Sequence, residues 1–144
     1  MHGIKDNLEV RYVGAAIALA SNTDSNSTRI DMANYESVLF VSTIADSVAT
    51  GVATITIEQN DADSDSGMAA VTGTNATITC AVNDDQNGRM LMTELRMPTK
   101  RYVQAVRTSA TANMAFGEII AILTPRTLPV SQHSTVADVN YVSN

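Results

Sequence analysis

The stretch VATITIEQ, residues 52–59, alternates strictly, with Ala53, Ile55 and Ile57 on one face and Thr54, Thr56 and Glu58 on the other. That is the period of a half-buried strand. Residues 76–82, ATITCAV, repeat the design and predict Ala76, Ile78, Cys80 and Val82 inward with Thr77 and Thr79 outward. The two runs read as paired strands joined by an acidic connection. SVLFVSTIA, residues 37–45, has four apolar residues in succession and predicts a central strand covered on both faces. RMLMTELRM, RYVQAVRT and AFGEIIAIL supply three further strands, separated by Pro98-Thr99-Lys100 and by the polar stretch from Ser109 to Asn113. VRYVGAAIALA reads as the first strand, although its alanines also suit a helix, and MTEL is similarly ambiguous. NDDQNG, residues 83–88, is turn-forming. Seven or eight short strands with turn signals between them predict an all-β antiparallel sandwich.

A chain of 144 residues fits one domain. Its nine Lys and Arg are scattered and the net charge is −6, so no basic field gathers phosphates and nucleic acid is not an expected partner. The longest uncharged apolar run, GAAIALA at residues 14–20, falls far short of the ~20 residues that span a bilayer. No membrane partner is expected. A single cysteine and a polar Lys5-Asp6-Asn7 near the start suit maturation in a reducing cytosol, where the two sequons at Asn26 and Asn75 carry no meaning.

Candidate chemistry is sparse. His2 and His133 lie near the termini, and the chain has no G-x-S-x-G, P-loop, H-E-x-x-H or C-x-x-C motif. An enzyme is not expected, nor a cofactor. Asp61, Asp63 and Asp65 alternate as calcium ligands do, but counting from Asp61 the sixth position is Ser66 and the twelfth is Thr72, where a glycine and a bidentate glutamate belong. No metal site is expected there. Cys80 reads as a small core residue and Asp84 with Asp85 as a solvated turn.

After Thr124 the character changes, because Pro125 and Pro129 interrupt any ladder and the remainder is polar with isolated apolar residues. The expected organisation is an amino-terminal arm at 1–9, a sandwich at 10–124 and an extended carboxy-terminal arm at 125–144. Leu128, Val130, Val136, Val139 and Tyr141 are the residues such an arm would offer to a neighbouring surface.

The run RMPTKRYVQAVRTSATANMAFGEIIAILTPRTLPVSQH, together with YESVLFVSTIADSV, resembles the capsid decoration, or cement, proteins of tailed bacteriophages. In these a strand of the type R-Y-V-x-x-V is followed by a hydrophobic strand of the type G-x-I-x-A-I-L and a proline-containing tail. The resemblance implies a jelly-roll sandwich, made in the bacterial host cytoplasm, that sits on the outer surface of the virion capsid and bridges major capsid protein subunits. It also implies a homo-oligomer, a dimer or other small assembly at symmetry axes. Contact residues follow by position along the tail: Arg126, Leu128, Pro129, Val130 and Tyr141. Two other readings stay open, a tail or neck component of the virion and a carbohydrate-binding module. The latter would expose aromatic rings for stacking, and this chain has no Trp, four Tyr and two Phe.

Overall fold

The computed structural model describes residues 3–142; His2 lies outside the described residues. Alternation is converted into burial almost residue by residue. In β6 (Val52–Asn60) Ala53, Ile55 and Ile57 are fully buried, as the period predicts. In β5 (Tyr35–Ser47) Val38, Phe40, Ser42 and Ile44 point into the core. Leu39 and Val41 on the opposite face are only half-buried, which corrects the expected cover on both faces: none of the described residues packs over them fully.

The remaining elements are a single helical turn, α1 (Ile4–Asn7), and β1 (Glu9–Gly14), β2 (Ile17–Ala20), β3 (Thr23–Asn26), β4 (Ile30–Asp31), β7 (Ala69–Ala70), β8 (Ala76–Thr79), β9 (Met90–Arg96), β10 (Tyr102–Ala110) and β11 (Met114–Pro125). All pairings are antiparallel. The first sheet runs β1-β11-β5-β9, with β2 continuing the β1 edge along β11; the second runs β3-β10-β6-β7, with β4 and β8 sharing its edges. If each split edge counts as one position, the sheets read 1-8-3-6 and 2-7-4-5 in chain order. This is a jelly-roll winding, in which the chain crosses between sheets at nearly every step.

Several local readings change. VRYVGAAIALA is neither one strand nor a helix: the register shifts at Gly14, and β1 and β2 each take part of β11. MTEL is strand, within β9. The run ATITCAV stops being strand at Thr79, and Val82 is exposed instead of buried, because Asp84 takes a positive φ and its N–H bonds to Ser47 O, turning the chain out of the sheet. Glu9 belongs to β1 and Pro125 closes β11, so the ladder extends one residue past each end of the 10–124 segment.

Arg107 is the largest fully buried side chain. It lies on the inward face of β10, and its Nη1 donates to Gly117 O at 2.7 Å and its Nη2 to Ala15 O at 2.9 Å. Both carbonyls sit at irregularities of the first sheet, beside the β11 register shift and in the bend between β1 and β2. The guanidinium thus satisfies acceptors that the ladder has given up. Burial pushes its pKa down, and the ring of Phe116 lies 5.9 Å away.

Candidate contact surfaces

Four strands build the outer face of the first sheet, and their register aligns its residues into rows. One row reads Val10, Ile122, Leu39, Glu94; the next reads Tyr12, Ile120, Val41, Met92. Seven of these eight positions are apolar or aromatic. Tyr12, Ile120 and Met92 are 48%, 40% and 53% exposed. A contiguous apolar sheet face is what a soluble domain ordinarily hides, and it marks a contact site when left open. Sequence reasoning missed it. The signal was that VLFV, IIAIL and RMLM are apolar at both parities, which serves a strand buried on one side and docked on the other.

The termini border this face. Gln132 accepts the Val10 N–H at 2.9 Å and donates to Lys5 O and Leu8 O at 2.7 and 2.6 Å, while Thr135 Oγ accepts the Tyr12 N–H at 3.1 Å. The tail therefore covers the free edge of β1 through side chains, with no ladder of its own. Val136 and Val139 face Ile4, Leu8, Val10 and Ile122 across an apolar groove of about 420 Å³ that continues the outer face. Of the residues expected at contacts, Val130 donates its N–H to Asp6 O, and the exposed Tyr141 ring lies 5.7 Å from Lys5 Nζ. Arg126, Leu128 and Pro129 are exposed, and Arg126, Pro129 and Val130 line one cleft. The structure does not bring the five together. Arg126 lines two clefts, of about 390 and 240 Å³, and its guanidinium has no carboxylate partner among the described residues.

Beneath the tail, Glu9 is almost fully buried. It accepts from Arg11 Nε and from the Tyr35 hydroxyl, both at 2.5 Å, and Arg11 Nη2 donates to the same hydroxyl at 2.6 Å. Burial and the Glu9 carboxylate push the Tyr35 pKa up, which keeps the phenol protonated as a donor. This closed triad braces β1 against β5.

The three aspartates of the acidic loop are each taken up by a basic side chain. Arg29 takes Asp63 and Asp65 at 2.6 Å each, and Lys100 takes Asp61. Among the described residues no group of three or more His, Cys, Asp or Glu is arranged to hold a metal ion. The loop is pinned across neighbouring segments by exposed ion pairs, each worth little. Cys80 is buried, with Sγ 2.9 Å from Asp85 Oδ1, and burial followed by that carboxylate pushes the thiol pKa up. A thiol held protonated is a poor nucleophile. Asp85 corrects the solvated-turn reading: the Cys80 thiol and the N–H groups of Ala81 and Val82 bond to it and bring its pKa down to about 2. It caps the turn that leads into β9.

No protein-family model matches the sequence, and no curated protein does. Among solved structures the chain is similar to the PBSX exported protein XepA, with a TM-score of 0.55 and 14% identity over 99% of this chain and 46% of that one. It is also similar to the CBM22-1–GH10 modules of Clostridium thermocellum endo-1,4-beta-D-xylanase 10B, complexed with xylohexaose, with a TM-score of 0.50 and 12% identity over 90% of this chain and 27% of that one. The likeness is one of fold. The chain spans less than half the length of either structure.

Proposed function

We propose that the chain is a structural virion protein that binds the outer surface of an assembled phage capsid and stabilises contacts between major capsid subunits. The observation that carries the reading is the apolar outer face of the first sheet, continuous with the groove under the tail. A face of this kind works by burying area, and on a shell that repeats the same site many times, modest contacts give lasting occupancy. The fold it shares with part of the PBSX exported protein XepA is compatible with this reading. Sugar stacking is poorly served, since Tyr12 is the one aromatic ring in the two apolar rows.

The test is cosedimentation with capsids stripped of surface proteins. Parent protein should pellet with heads at saturating stoichiometry, and Ile120→Lys should bind at least tenfold more weakly while melting within a few degrees of the parent. Equal binding by parent and variant would remove the face from the account. Recovery on tails instead of heads would assign the protein to a tail or neck.

A further inference from the structure

Three of the four sheet edges are closed to a further strand. The β1 edge is covered by the tail. The β3/β4 edge is two short strands with Asp24 and Asp31 on them, and the β7/β8 edge is two short strands interrupted by residues 71–75. Brevity, charge and cover are the devices by which sheets avoid adding foreign strands. The fourth edge is neither short nor covered, and its charged residues, Glu94 and Arg96, sit together at its carboxy-terminal end. β9 pairs with β5 through seven consecutive residues without a register shift, and no backbone hydrogen bond joins Met90–Arg96 to any described residue outside that ladder. Met90 and Met92 stand exposed beside it, and with Ile78 of β8, Gly88 and Arg89 they line a groove of about 410 Å³.

We infer that the β9 edge accepts an extended, basic segment of a partner protein as an added antiparallel strand. An open edge supplies main-chain donors and acceptors, and alternate side chains of the added strand choose the partner. Here the outward positions state the choice. Apolar residues belong opposite Met90 and Met92, where they enter the groove, and a Lys or Arg belongs opposite Glu94, whose neighbouring cation, Arg96, is bonded to Glu36. A second copy fits less well. The two-fold register centred on Thr93 would set Arg96 of one β9 against Met90 of the other, at the mouth of an apolar groove, between bodies that each carry a charge of −6. This inference does not depend on the capsid reading.

The probe is an end-blocked peptide, Ser-Thr-Lys-Thr-Val-Thr-Val, titrated into the labelled full chain while amide shifts are recorded. The control is Ser-Thr-Lys-Val-Thr-Val-Thr, of identical composition with the alternation moved by one residue. The expected result is saturable shifts centred on Met90–Arg96, at least tenfold weaker for the control and for the Met90→Lys, Met92→Lys double variant, and unchanged by Tyr12→Lys on the opposite edge. Absence of saturable shifts, or equal binding of the two peptides, overturns the inference. Self-association of the free protein that Met92→Lys abolishes also overturns it, assigning the edge to a second copy.

Discussion

The two edges of the first sheet begin from the same problem and end differently. On β1, every structural resource is spent on closure: Gln132 and Thr135 take the outward N–H groups, the Glu9–Arg11–Tyr35 triad fastens the strand inward, and Arg107 ties the bend at Ala15 to β10. On β9 the strand is held by its β5 ladder and by Leu91 and Thr93 packing inward, and its outer edge is left alone. Unpaired strand edges are hazardous, so a chain that covers one and leaves the other regular and open has distinguished between them. The covered edge is architecture. The open one is available for recognition.

Breaking the β1 side at its root should have the largest effect. Arg107→Ala removes a buried side chain, strands the Ala15 carbonyl and leaves the Gly117 carbonyl only the longer Ser42 hydroxyl bond, and is expected to cost about 3–5 kcal/mol in urea unfolding. Arg107→Met keeps most of the volume and removes the buried charge, so it should cost clearly less than the alanine variant. Next comes deletion of residues 127–144, which strips Val136 and Val139 from the groove and bares the β1 edge. A loss of about 2–4 kcal/mol is expected. Cooperative unfolding should persist, and concentration-dependent association should appear by sedimentation velocity, because two open edges replace one.

Gln132→Ala sharpens the same comparison on a smaller scale. It unpairs the Val10 N–H and the Lys5 and Leu8 carbonyls at a partly solvated site, for about 1–2 kcal/mol by chemical denaturation. The smallest effect belongs to the β9 side. Asp85 has its pKa lowered from 3.8 to about 2, so its contribution is fully present above the unfolded value and is lost as pH falls through the folded one. Between pH 4 and 2 the parent should therefore lose melting temperature more steeply than Asp85→Asn, and above pH 5 the two slopes should coincide.

What the sequence disclosed follows from which physics is local. Ala53, Ile55 and Ile57 announce β6 because a face buried against a core imposes a period of two on its own residues. Pro125 and Pro129 announce the end of the ladder for the equally local reason that proline has no N–H. The strand Thr23–Asn26 carries no such mark. It is polar throughout and exists because β10 offers it a ladder, reinforced by the Thr23–Ser109 hydroxyl contact. Arg107 sits in RYVQAVRT where a surface arginine would be unremarkable, and only the approach of two sheets reveals that Ala15 and Gly117 need a donor. Gln132 and Thr135 are equally silent, since their partners lie more than a hundred residues away in sequence. The apolar outer face was written in VLFV, IIAIL and RMLM, yet apolarity at both parities there does not say whether the second face meets this chain or another.

Amide hydrogen exchange on the intact 144-residue chain, read residue by residue under native conditions, tests the contrast between the edges most directly. In an edge strand alternate N–H groups point away from the sheet and exchange readily unless something accepts them. The Val10 and Tyr12 amides should be protected, with the protection of Val10 lost in Gln132→Ala, while the outward amides of Met90–Arg96 should exchange quickly in the free protein. Fast exchange at Val10 and Tyr12, or protection along the whole of β9 in the free monomer, would contradict that contrast.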